Sequence, residues 1–302
     1  MDLARLRALR ELSSRQTMAA VAQALHLTPS AVSQQLAQLE EEVGLALTER
    51  QGRGVRLTVA GEVLVEHTER MLTVLDEAKS DLALLKKQVA GKLRVATFPT
   101  VAAALLPSVI ESLSADYPYL DVLLEEMEPA DGLAALGSWG ADIAFVDDLT
   151  IQLNHKERSV EQVHVVNDML YALLPRGHRL SGKSTVSVAE LKDEKWALDS
   201  ASSFYAEFVA NLCRRAGYEP RVNAECRGFE IIGAMVQGGC SISVIPGLRL
   251  AHPIPGTVAV KLRPEVSRRI SLAYRRGDRK NPAVQLFVER LLSSKGVQTN
   301  RD

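Results

Sequence analysis

The sequence predicts a mixed α/β protein made of a small helical head, one long helix and a larger body of alternating strands and helices. Three observations carry this. Residues 2–43 hold three short helical patterns in close succession. Residues 59–89 hold one apolar stripe that advances in steps of four and three. From Leu93 onward, short apolar runs alternate with helical stretches, as they do in mainly parallel sheets covered by helices.

The head can be justified helix by helix. Asp2 caps a first helix striped by Leu3, Leu6, Leu9 and Leu12. Met18 to Leu25 form a second, in which Ala19, Ala20, Ala22 and Ala24 let helices approach closely. His26 and Leu27 leave only a short turn before the third. There Thr28 is a good N-cap, and Pro29 takes the first helical position, where a missing N–H costs nothing. Val32, Leu36, Leu39 and Val43 make a buried stripe. The opposite face shows Ser30, Ser33 and Gln34, with Gln38 at its edge and no acid before Glu40. Short hydroxyl and amide side chains can read base edges and phosphates. This is the geometry of a helix-turn-helix with its last helix in the major groove. Leu45–Arg50 and Val55–Thr58 then pair as a small hairpin around Gly52-Arg53-Gly54, ringed by Arg50, Arg53 and Arg56 as a wing for the backbone or minor groove.

The run Ala22-Gln23-Ala24-Leu25-His26-Leu27-Thr28-Pro29-Ser30-Ala31-Val32-Ser33-Gln34-Gln35-Leu36, with Leu39–Gly44 and Leu57–Glu62, resembles the winged domain of LysR-type transcriptional regulators. The resemblance implies that Thr28, Pro29, Ser30, Ser33, Gln34, Gln38, Arg50, Arg53 and Arg56 meet DNA. Thr48 stands where the family usually has Phe, and Val59 where it usually has Pro.

The head is expected over 1–58 and the long helix over 59–91. Thr58 caps this helix, and Leu64, Thr68, Met71, Leu75, Ala78, Leu82, Leu85 and Val89 trace a coiled-coil seam broken once by the polar threonine. Dimerisation through Leu64, Met71, Leu75, Leu82 and Leu85 follows. A dimer is also what the charge calls for. Residues 1–60 hold seven Lys/Arg against six Asp/Glu, and the whole chain has a net charge of −1. A head this close to neutral binds DNA weakly alone.

The chain's 302 residues contain no apolar run approaching the roughly 20 of a membrane span. Its start lacks a signal-peptide layout, so a cytoplasmic protein is expected. Cys213, Cys226 and Cys240 fit a reducing compartment, and their spacing is no metal pattern.

In the body, strands are expected at Leu93–Ala96, Leu120–Leu124, Asp142–Val146, Met169–Leu174, Trp196–Leu198, Val222–Glu225, Ser241–Ile245 and Ile270–Tyr274. Helices are expected at Val101–Leu113, Ala130–Leu136, Phe204–Ala216, Phe229–Gln237 and Pro282–Leu292. The pattern occurs twice, giving one subdomain of 92–161 plus 267–302 and another of 162–266, with crossings near 147–161 and 263–268. This effector domain (92–302) resembles that of the same family and, through it, periplasmic solute-binding proteins. Ligands of such sheets sit beyond the carboxyl ends of strands. Pro99-Thr100, Ser200 to Ser203 and Gly228 lie at such ends before helices, so Pro99, Thr100, Ser200, Ser202, Ser203 and Gly228 are candidate effector contacts. Free amides there suit an anion. Asp147, at the first crossing, could receive an ammonium.

No catalytic constellation is present: there is no Gly-x-Ser-x-Gly elbow, phosphate loop or dinucleotide fingerprint, and the histidines are scattered. The expectation is a sequence-specific DNA-binding regulator, not an enzyme, without cofactor or metal. The partners expected are a double-stranded operator with two half-sites, a small and anionic effector, further copies of the chain as a dimer or dimer of dimers, and RNA polymerase, with no membrane. The alternative is an intracellular enzyme on a solute-binding fold with an appended DNA-binding module.

Overall fold

The computed structural model describes residues 1–25, 27–51, 54–85, 89–149, 159–200 and 203–294. Its head contains α1 (Leu3–Arg15), α2 (Met18–Ala24) and α3 (Pro29–Val43). Asp2, Thr17 and Thr28 cap them through side-chain oxygens that accept the amides of Ala4, Ala20 and Ala31. Leu6, Leu9, Leu12, Val21, Val32, Leu36 and Leu39 meet in one buried core. The wing pairs β1 (Thr48–Gln51) with β2 (Gly54–Leu57), antiparallel, and buries Leu47 and Leu57 in the same core. Glu40, near the end of α3, ties the wing down. Its Oε1 accepts the amides of Leu47 and Thr48 and the Thr48 hydroxyl, at 2.8, 2.9 and 3.0 Å. Thr48 therefore anchors the wing by a polar contact at the position where the family usually carries Phe.

The long helix α4 spans Val59–Leu84, capped by Thr58. It stops short of the expected Val89. Gly61 is required near its start: a Cβ there would lie 2.2 Å from the Leu47 carbonyl oxygen. One face, with Val65, Thr68, Leu72, Asp76 and Ser80, is buried within the chain. Thr68 is thus removed from the expected seam. It sits where the two faces adjoin, turns inward, and gives its hydroxyl to the Leu64 carbonyl. Met71, Val74, Leu82 and Leu85 remain exposed, and Leu64 and Leu75 are half-buried.

The body is built from β3 (Gly91–Thr97), α5 (Pro99–Ala104), α6 (Leu106–Asp116), β4 (Leu120–Glu126), α7 (Pro129–Gly137), β5 (Ile143–Asp147), β6 (Val160–Pro175), β7 (Thr185–Ser187), β8 (Lys195–Asp199), α8 (Ser203–Arg215), β9 (Arg221–Cys226), α9 (Phe229–Gln237), β10 (Ser243–Pro246), β11 (Thr257–Arg263), β12 (Ser267–Arg275) and α10 (Pro282–Ser293). The expected helix Val101–Leu113 is two helices, because Pro107 lacks the N–H needed to continue α5 into α6. The main sheet runs β4-β3-β5-β12-β6-β11-β7, with β10 also on β6, and β8-β9 form a second sheet.

The main sheet is mixed, against the expectation of mainly parallel pairing. The β3–β4, β3–β5 and β7–β11 pairs are parallel, whereas β12 and β6 return antiparallel through its middle. The sequence predicted only Met169–Leu174 of β6, because Glu161, His164, Asn167 and Asp168 interrupt its apolar pattern. The first crossing consequently shifts. Val160 to Met169 pair with β12 in the first half, and only from Leu170 does β6 pair with β10 and β11 in the second. The expected boundary at 161/162 falls inside this shared strand. Each half has its own apolar core, one around Leu93, Phe145 and Phe287 and the other around Leu174, Trp196 and Leu262.

Head and body meet along the inward face of α4. Gly277, in the 3-10 turn Arg276–Lys280, lies so close that a Cβ would stand 2.6 Å from that of Asp76 and 2.7 Å from the Thr73 carbonyl oxygen. Asp76 accepts the Trp139 indole N–H at 3.1 Å and pairs with Arg275 at 3.3 Å. Arg7 of α1 lies over the Trp139 ring, 4.5 Å from its centroid. Arg275 also donates to the carbonyls of Leu136 and Ala141 and pairs with Asp142 and Asp278. A head residue, the long helix and both ends of the first subdomain thus converge on one polar cluster.

Candidate DNA-binding face and effector cleft

On α3, the residues expected to read DNA occupy one side. Thr28, Pro29, Ser30, Ser33 and Gln34 are exposed and Gln38 is half-buried, while Val32, Leu36 and Leu39 face the core. The Thr28 and Ser30 hydroxyl oxygens are 3.0 Å apart. The acids behind this face are engaged elsewhere, Glu40 on the wing and Glu42 with Arg5 and the N-terminal amine. That ammonium and the Arg5 guanidinium hold the Glu42 carboxyl below its ordinary range. On the wing, Arg50 is exposed. Arg56 is exposed too and pairs with Glu49 across the hairpin through Nε and Nη2. Arg53 lies outside the described residues.

The second site is a cavity of about 400 Å³ between the two halves of the body. The carboxyl ends of β3, β4, β5, β8 and β9 all reach it, through Phe98, Glu126, Asp147, Asp199 and Arg227. Arg268 enters from β12. Of the expected effector contacts, Pro99, Thr100, Asp147 and Gly228 line the cavity. Ser200 does not. It is exposed, and its amide donates to the Cys226 carbonyl, which continues the pairing of β8 with β9. The side chains of Ser202 and Ser203 lie outside the description.

Arg268 dominates the floor. It is 4% exposed. Its Nε and Nη2 donate to one Asp168 oxygen at 3.0 and 2.9 Å, its Nη2 also donates to the Thr100 hydroxyl at 2.7 Å, and its Nη1 lies 3.4 Å from an Asp147 oxygen. Its guanidinium stacks on Phe98 at 5.0 Å. Burial pushes the Asp168 carboxyl above its ordinary value, against the pull of Arg268 and of the Leu248 and Gly247 amides. Asp199 accepts the Gly228 amide at 3.2 Å. Burial likewise raises the Tyr205 hydroxyl well above its usual range.

Sequence reasoning missed Glu126, Glu128, Asp199, Tyr205 and Arg268. A signal for Arg268 existed: strand alternation puts it on the same side as Ile270 and Leu272, which are core residues. Four lining carboxylates, Glu126, Glu128, Asp147 and Asp199, face two guanidiniums, Arg227 and Arg268. The Thr100 hydroxyl oxygen accepts from Arg268, and its O–H remains a donor. The helix it begins, α5, has only six residues, too short for a strong dipole.

Among the described residues, no group of three or more His, Cys, Asp or Glu is placed to hold a metal ion, and no helix is long and apolar enough to cross a membrane. Cys213 and Cys226 are buried and Cys240 is exposed, none in a disulfide.

Residues 3–62 match the bacterial regulatory helix-turn-helix of the lysR family, and residues 86–295 match the LysR substrate binding domain. The transcriptional dual regulator GltC of Bacillus subtilis is 27% identical over 292 residues, covering 96% of each chain. The DNA-binding transcriptional dual regulator OxyR of Escherichia coli is 26% identical over 259 residues, 85% of this chain and 83% of its own. Among solved structures, full-length OxyR of Pseudomonas aeruginosa superposes with a TM-score of 0.66 at 24% identity, covering 99% of this chain and 97% of the other. Full-length CbnR in complex with its target DNA superposes with a TM-score of 0.55 at 24% identity over 100% of both chains.

Proposed function

Because the chain belongs to the LysR family of DNA-binding transcriptional regulators, with an effector-binding domain behind its helix-turn-helix, we propose that it is a ligand-switched regulator and not an enzyme. In this reading a small molecule in the cleft between the body's halves sets the angle between them. The head, 1–58, rides on the linker of 59–91, whose helix is α4, and two such helices pair through Leu64, Met71, Leu75, Leu82 and Leu85. A dimer, or a dimer of dimers, then holds two heads over two half-sites of a cytoplasmic operator and offers them to RNA polymerase. The carrying observation is that one chain presents the open face of Ser30, Ser33 and Gln34 and, past a single helix, a cavity of about 400 Å³ into which five strand ends point. Arg50, Arg53 and Arg56 hold the wing on the DNA backbone.

Selection of bound fragments from random DNA by the full-length protein tests this. Recovered sequences should contain paired, inverted half-sites spaced by about one helical turn or a multiple of it. Recovery of unrelated sequences, with equal retention of all fragments, would remove the regulator reading.

A further inference from the structure

We propose that the group the cleft selects is an organic cation, an aliphatic ammonium or guanidinium. The proposal rests on the cleft being the effector site and names the chemistry of its occupant. The inference starts from the cavity itself, which is about 400 Å³ and is walled by the rings of Phe98, Tyr205 and Phe229. That volume is the size of a small-molecule site, and ring faces attract cations. Arg268 shows that contact within the cleft, lying 5.0 Å from the Phe98 ring centroid.

The sign of the occupant follows from the charges. Arg268 is the one buried cation of the lining among the described residues, and Asp168 and Asp147 match it within the protein, at 2.9 and 3.4 Å. An entering carboxylate would have to compete with these two built-in carboxylates for the same guanidinium. Arg227, the other lining cation, is exposed at the mouth, as is Glu126, whereas Asp199 lies buried deeper in the cleft. Glu126 and Asp199 end two different strands, β4 in the first half and β8 in the second. A cation held between them bridges the halves, which is what a ligand must do to favour one angle between them.

Calorimetry on the full-length protein with agmatine, putrescine and L-lysine, set against glutarate and 2-oxoglutarate, tests the assignment. At least one of the amines should bind tenfold or more tightly than either dicarboxylate. Its affinity should fall as salt rises and drop at least fivefold in Glu126→Gln and in Asp199→Asn. The asparagine keeps an oxygen for the Gly228 amide, and unchanged thermal unfolding of both variants in the absence of ligand shows that the fold is intact. Silence from all three amines overturns the proposal, and so does amine binding that both variants retain in full. Dicarboxylate binding in their place also overturns it, while leaving the cleft as a ligand site. Amine binding that obeys these rules but leaves the operator footprint unmoved supports the cation site and removes the switch reading instead.

Discussion

Gln34 and Ser33 stand exposed on a helix whose other side is core, so their side chains are free to meet base edges. Gln34→Ala is expected to relax sequence preference and cost about 1–3 kcal/mol on the selected operator. Competition binding against random DNA checks this, and equal loss on both DNAs would make Gln34 a phosphate contact. Glu40 has a different task. One carboxylate oxygen receives three bonds from the base of the wing. Glu40→Ala should destabilise the protein by about 1–3 kcal/mol, since it leaves part-buried amides without an acceptor; denaturant unfolding measures it. The open face of α3 was legible in the sequence because cap, proline and apolar stripe together fix how a single helix is turned. The Glu40 clamp and the Arg268 floor were not. Each depends on partners distant in the chain, Asp168 being 100 positions from Arg268, and pattern within one element carries no record of them.

Among the elements, α4 has two neighbouring faces, a largely polar one buried within its own chain (Val65, Thr68, Leu72, Asp76 and Ser80) and an apolar one left open. Leu75 and Leu82 belong to the open one, half-buried and exposed respectively. Replacing both with Asp is expected to give monomers in sedimentation and to abolish tight binding to a two-half-site operator. A double variant that still sediments as a dimer would move the main interface off this helix. The sequence reading placed Thr68, which belongs to the buried face, in the open seam, because steps of four and three do not separate neighbouring faces. In the sheet, strands whose apolar run was unbroken were legible, whereas β6 was truncated and β7 and β11 were missed. β7 has only three residues, and β11 alternates polar and apolar positions weakly. Asp142 shows how neighbouring interior strands are fastened, since it joins β3, β5 and β12. It accepts the Arg94 amide at 2.9 Å and pairs with Arg94 and Arg275 at 3.1 Å. Burial alone would raise its carboxyl, yet its bonds to Arg94 and the charge of Arg275 hold it below its ordinary value of 3.8. A depressed carboxyl stabilises the fold above its unfolded-state value and loses that contribution as pH falls through the folded one. Asp142→Asn should therefore be less stable than the wild type at pH 7, with the gap narrowing below about pH 4. A gap of constant size across that range would show that Asp142 acts by shape and not by charge.

At the scale of the whole molecule, the question is how a cleft in the body reaches a face on the head. The route the structure offers is the cluster in which Asp76 of α4 holds the Trp139 indole N–H and Arg275, with Arg7 of the head stacked on the same ring. Arg275 ends β12, the strand that begins next to Arg268 in the cleft. One strand thus touches both cleft and hub. Trp139→Phe keeps an aromatic ring and removes the donor to Asp76. It should leave ligand and operator affinities within about twofold of wild type while reducing the ligand-dependent change in footprint, because allosteric coupling is commonly only ~1–3 kcal/mol. The most direct test of ligand-switched DNA binding is the DNase I footprint of the full-length protein on its selected operator. It is taken with and without saturating amounts of the compound that calorimetry places in the cleft. The protected region should shift or change length when the cleft is filled, with the half-site contacts of Gln34 retained. A filled cleft and an identical footprint would contradict the coupling on which the account depends.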